Sequence, residues 1–74
     1  MEMYQEYRAA LIELLNSINQ EVGMSEENKV LILHLLNTQK KISAFTNWVK
    51  ENMRDGTLQA TEPEICRAAV QAAK

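Results

Sequence analysis

Val22-Gly23-Met24-Ser25-Glu26-Glu27 is the stretch whose reading decides the fold. Gly23 follows a long run of helix-compatible patterning, and glycine is favoured just past a helix end because it adopts the left-handed conformation at little cost. Met24 is placed to fold back onto Ile18, the apolar contact that accompanies such a stop. Ser25 then supplies the side-chain oxygen of an N-cap, and Glu26 and Glu27 fall in the first turn of the next helix, where the helix dipole favours negative charge. One helix stops and another starts within three residues, which predicts an antiparallel helical hairpin.

Towards the N-terminus, the first helix is expected from about Glu2 to Val22. On a 3.6-residue wheel Met3, Tyr7, Ala10, Leu11, Leu14, Leu15, Ile18 and Val22 share one arc, while Gln5, Glu6, Glu13, Asn16 and Gln20 share the other. Towards the C-terminus, residues 26–54 contain neither glycine nor proline. There Leu31, Leu35, Thr38, Ile42, Phe45, Val49 and Asn52 repeat with the coiled-coil period, although Thr38 and Asn52 interrupt its apolar character. A single helix of that length would extend about 43 Å at 1.5 Å per residue, too long for so small a globule. Asn37-Thr38-Gln39 breaks the apolar pattern, and Thr38 has a capping side chain, so we place a bend or break at residues 37–39.

Within this stretch, Val30-Leu31-Ile32-Leu33-His34-Leu35-Leu36 is apolar on nearly every side of a helix. Such a segment needs cover on every side. The first and last helices shelter two sides, and the remaining one is the strongest indication of a partner in the sequence. Farther on, Asp55-Gly56 reads as the close of the helix, and Thr57-Leu58-Gln59-Ala60 as a connector pinned to the core by Leu58. Thr61-Glu62-Pro63-Glu64 has the spacing of a capping box, with proline in the first turn where its missing N–H costs nothing. The last helix, residues 62–73, carries Ile65, Ala68, Ala69 and Ala72 on one stripe. The expected fold is therefore all-α, a small bundle of three to four helices. It comprises an N-terminal antiparallel helical hairpin and a short C-terminal helix, in one domain over residues 1–74.

Seventy-four residues hide only about 60% of their unfolded surface, so a core this small often relies on a disulfide, a metal or a partner subunit. Cys66 is the only cysteine and His34 the only histidine, which excludes an internal disulfide and leaves no paired zinc-ligand spacing. No metal or cofactor is expected. The formal net charge is −2, from 8 basic and 10 acidic residues mixed along the chain, with no block of like charge. The opening residues lack the basic flank of a secretory signal, and no apolar run reaches membrane-spanning length. The expected location is the cytoplasm, with no membrane partner.

Chemistry is harder to find. His34 is read as a structural or interface histidine, since catalysis requires a positioned partner that the sequence does not identify. Cys66 falls near the start of the last helix, where the dipole lowers a thiol pKa, but Glu62 and Glu64 share that turn and oppose the thiolate. A Cys66–His34 dyad is the enzymatic alternative, and it has little of the support that a triad supplies. Two glycines cannot build a phosphate-cradling loop or a dinucleotide fingerprint.

Lys40, Lys41, Lys50 and Arg54 make a small DNA-binding regulator of helix-turn-helix type the main alternative, ahead of the enzymatic one, with residues 62–73 as the reading helix. Their spread around the helix and the acidic first turn at residue 62 point instead to a solvated charged face. Phe45 and Trp48 share a helix side with Val49. They are either core or an aromatic anchor of the kind that dominates interface hot spots. The expected function is a non-enzymatic protein–protein interaction or regulatory module, self-associating as a homodimer through Val30, Leu33, Leu36, Phe45 and Trp48.

Overall fold

Thr38 divides the middle of the chain. Its backbone is extended, with φ −139° and ψ 160°. Its hydroxyl accepts the Lys41 N–H at 3.2 Å, satisfying one of the donors that a helix start leaves orphaned. The computed structural model describes residues 3–74, with side chains from Gln5 onward. Among the described residues there are four helices: α1 Met3–Val22, α2 Glu26–Leu35, α3 Gln39–Glu51 and α4 Glu62–Ala72. The expected helix start at Glu2 and the expected place of the Met3 side chain on the apolar arc lie outside the described residues. The break at residues 37–39 is present, so the coiled-coil seam from Leu31 to Asn52 is not continuous: Leu31 is exposed and Thr38 is a cap.

Gly23 has φ +76° and its N–H reaches the Asn19 carbonyl at 2.9 Å, closing α1. Ser25 caps α2 by accepting the Asn28 N–H at 3.2 Å, and Met24 is buried in the same cluster as Ile18.

The region after α3 departs from expectation. The helix stops at Glu51, not near Arg54, and Met53–Arg54 (β1) pairs antiparallel with Thr57–Leu58 (β2). Asp55 and Gly56 have φ +55° and +78°. Two consecutive positive values make the two-residue turn whose twist suits a hairpin. Asp55-Gly56 is therefore a hairpin turn and not a helix stop, and the connector carries a ladder extended by Gln59 N–H to the Asn52 carbonyl at 2.8 Å. Alternation of hydrogen-bonded and free pairs turns the Leu58 N–H away from its partner strand. Glu21, near the end of α1, accepts it at 3.2 Å. Leu58 itself is buried, as expected.

The core comprises Leu11, Leu15 and Ile18 of α1, Met24, Ile32 and Leu36, Ile42, Phe45 and Val49 of α3, Leu58, and Ile65 and Ala69 of α4. Ala10, expected on the apolar arc, is exposed. Packing is most extensive between α1 and α3, then between α4 and both α3 and α2. Glu64 accepts the Thr61 N–H at 2.8 Å, the arm of the capping box that sets the start of α4. The radius of gyration is 11.3 Å, matching the value of about 11 Å for a self-contained chain of this length.

Candidate functional site

The apolar run of α2 separates by helical phase. Ile32 and Leu36 are four residues apart, about 40° on the wheel, and both are 0% exposed. Leu33 and Leu35 flank them, half-buried against the core. Val30 points the other way and is 46% exposed. It lies beside Leu33 and, from α1, Ile12, which is 40% exposed. These three residues border one shallow hollow, which also contains Leu15, Asn16, Glu26 and Lys29. A second hollow adjoins it, formed by Arg8, Val30, Leu33, His34 and Asn37. The earlier α1 residue, 8, shares its hollow with the later residues 34 and 37, while 12–16 share theirs with 26 and 29, an opposed order that runs α1 and α2 antiparallel, as the short turn predicts.

Two of the five interface candidates, Val30 and Leu33, therefore lie on this outer face. Leu36 and Phe45 do not: both are fully buried in the chain's own core, so neither is available to a second molecule while the fold is intact. Ile12 belongs to the face and was absent from the sequence reading. Its signal was available, an isoleucine beside Glu13 about 100° from Leu11 and so outside the core arc.

Trp48 lies elsewhere. Its ring stacks on Phe45, with centroids 6.1 Å apart and planes at 22°, within the range that favours aromatic pairs. Its other side lines an open groove of about 510 Å³ between α3 and α4. Ala44, Ala60, Ala68 and Ala72 form the apolar walls, with Asn52, Gln59, Glu64, Arg67 and Gln71 as the polar lining. Trp48 therefore packs against the core and also walls the groove.

The remaining candidates are Glu62, Cys66 and His34. The Glu62 carboxylate crosses to α2, accepting the Ser25 N–H at 2.9 Å and a bond from the Asn28 side-chain amide. It does for α2 what the glutamate of a capping box does for its own helix. These two bonds hold its carboxyl below the usual range. Burial, and then the Glu62 charge, pushes the Cys66 thiol up, which opposes nucleophilic activation. His34 is exposed beside Arg8. Among the described residues, no group of three or more His, Cys, Asp or Glu side chains is placed to hold a metal ion.

Of the basic residues, Lys40, Lys50 and Arg54 are exposed, while the Lys41 ammonium donates to Asn37 at 3.1 Å. The helix expected to read DNA, α4, packs on both α3 and α2. The segment joining it to α3 carries the Met53–Leu58 hairpin, a longer connection than the three or four residues of a helix-turn-helix. Among the described residues no helix is long and apolar enough to cross a membrane. No protein-family model matches this chain, and no curated protein or solved structure is significantly similar to it.

Proposed function

We propose that this protein is a non-enzymatic, cytoplasmic interaction module that self-associates through the outer face of α1 and α2. The supporting observation is the adjacency of Ile12, Val30 and Leu33 around one hollow. Single exposed apolar residues are ordinary, whereas a contiguous group contributed by two helices is the usual mark of a contact surface. The reading differs from the sequence argument in one respect. The chain encloses its own core, so association adds to a folded subunit and does not complete it.

The experiment is light scattering across a concentration series. A mass of two chains at tens of micromolar supports the proposal, and a clean monomer there removes it. Val30→Lys with Ile12→Lys is expected to abolish association while leaving the helical circular dichroism unchanged, because neither side chain contributes to the buried cluster.

A further inference from the structure

We infer that the groove between α3 and α4 binds a small planar aromatic acid that carries an N–H donor at the end remote from its carboxylate. The groove is separate from the outer face of α1 and α2, so its occupancy does not depend on self-association.

The groove follows from where the small residues fall. Ala44 lies one turn before Trp48 on α3, Ala68 lies one turn before Ala72 on α4, and all four line the groove. Methyl groups on both helices cannot fill the space beside an indole that its stack on Phe45 holds in place. The volume of about 510 Å³ lies inside the range of about 300–1,000 Å³ that small-molecule sites occupy.

The polar lining is sorted by chemistry along the groove. At the hairpin end, the Asn52 amide donates to the Trp48 carbonyl at 2.8 Å. The Gln59 amide donates to the Thr57 carbonyl at 3.3 Å. Among the described residues, neither side-chain oxygen receives a donor in return. Glu64 belongs to the same end; its Oε1 accepts the Thr61 N–H at 2.8 Å, and Oε2 stays open. This end therefore presents acceptors.

One turn on, Arg67 is exposed and forms no ion pair among the described residues. Gln71 follows four residues later on the same side of α4 and adds an amide N–H. A guanidinium fork matches a carboxylate, and an indole face suits an aromatic ring. Repulsion from Glu64 fixes the direction: the acid lies towards Arg67 and Gln71, and the N–H donor towards Asn52, Gln59 and Glu64. From Glu64 to Gln71 the helix rises about 10 Å, a span that one ring with a short substituent at each end covers. The apolar stretch between the ends is the single turn from Ala68 to Ala72. A partner helix needs a longer row of anchors than one turn provides.

The test titrates the full chain at neutral pH with para-aminophenylacetate, para-aminophenylacetamide and phenylacetate. Nuclear magnetic resonance follows the indole N–H of Trp48, the only tryptophan. A saturable shift with para-aminophenylacetate is expected. The amide should bind about fivefold more weakly, the effect of one exposed charge pair lost. Phenylacetate should bind about threefold more weakly, for one lost hydrogen bond. Arg67→Met is expected to bind acid and amide equally with its helical circular dichroism unchanged, whereas the distant Arg8→Met retains the preference. The absence of a saturable shift at tens of millimolar overturns the inference. So does a wild-type chain indifferent to the acid, or a preference for it that survives in Arg67→Met.

Discussion

The two sides of α2 are made of the same residue types and meet opposite fates. Ile32 and Leu36 are buried in one cluster with residues of α1, α3 and α4, whereas Val30 is 46% exposed two residues before Ile32. Hydrophobicity along the segment does not distinguish them. The difference is helical phase combined with a scarcity of neighbours: four short helices leave one side of α2 without a covering element. A run of apolar residues states how much greasy surface exists, and only the packing partners determine which part reaches water.

The largest expected effect tests that contrast directly. At dilute concentration, Ile32→Ala is expected to cost about 2–5 kcal/mol of folding stability, through lost burial and the cavity left behind. Val30→Ala is expected to stay within about 0.5 kcal/mol, as a surface change away from special features does. Chemical denaturation of both variants decides it. Equal losses would mean that Val30 is as enclosed as Ile32 and that the outer face is not a free surface.

Much of the architecture was legible because its marks are local. Gly23, Ser25, Thr38 and the Thr61–Glu64 pair each act within one turn of their own position, and each marks the boundary read from it. Asp55-Gly56 was misread for a physical reason. A glycine in the left-handed conformation ends a helix and also makes a hairpin turn, and the two outcomes differ only in what the flanking residues do. Here the strands are two residues each, too short to show alternation in the sequence.

The candidate face was half legible. Val30 and Leu33 followed from the apolar run, while Leu36 and Phe45 were lost to the core because burial depends on contacts distant in sequence. The cross-helix role of Glu62 was invisible for the same reason: its partner Ser25 is 37 positions away.

The two glycines sharpen the comparison between marks read correctly and incorrectly. Both have positive φ, and a Cβ at either would meet nothing within 4 Å. The cost of alanine at each is therefore conformational alone, about 1 kcal/mol. Gly56→Asn is expected to recover most of that loss, since asparagine tolerates the left-handed region. Thermal melts of Gly23→Ala, Gly56→Ala and Gly56→Asn measure it. A Gly56→Asn variant no more stable than Gly56→Ala would show that something other than backbone conformation selects glycine in the turn.

The smallest effect concerns the start of α4, where one carboxylate serves two helices. Glu62 accepts from Ser25 and Asn28 in its charged form, and its pKa is lowered accordingly. A group whose folded pKa is depressed contributes stability above its unfolded pKa, and loses it as pH falls through the folded value. Glu62→Gln is thus expected to lower the melting temperature at neutral pH. The gap between variant and wild type should close on acidification below about pH 4.3, the ordinary glutamate value. Thiol alkylation provides an independent check. Because the Glu62 charge helps to raise the Cys66 pKa, the glutamine variant carries more thiolate at pH 8 and is expected to alkylate faster while fully folded. A melting gap that persists unchanged to pH 3, together with an unaltered alkylation rate, would show that Glu62 acts there by shape and not by charge.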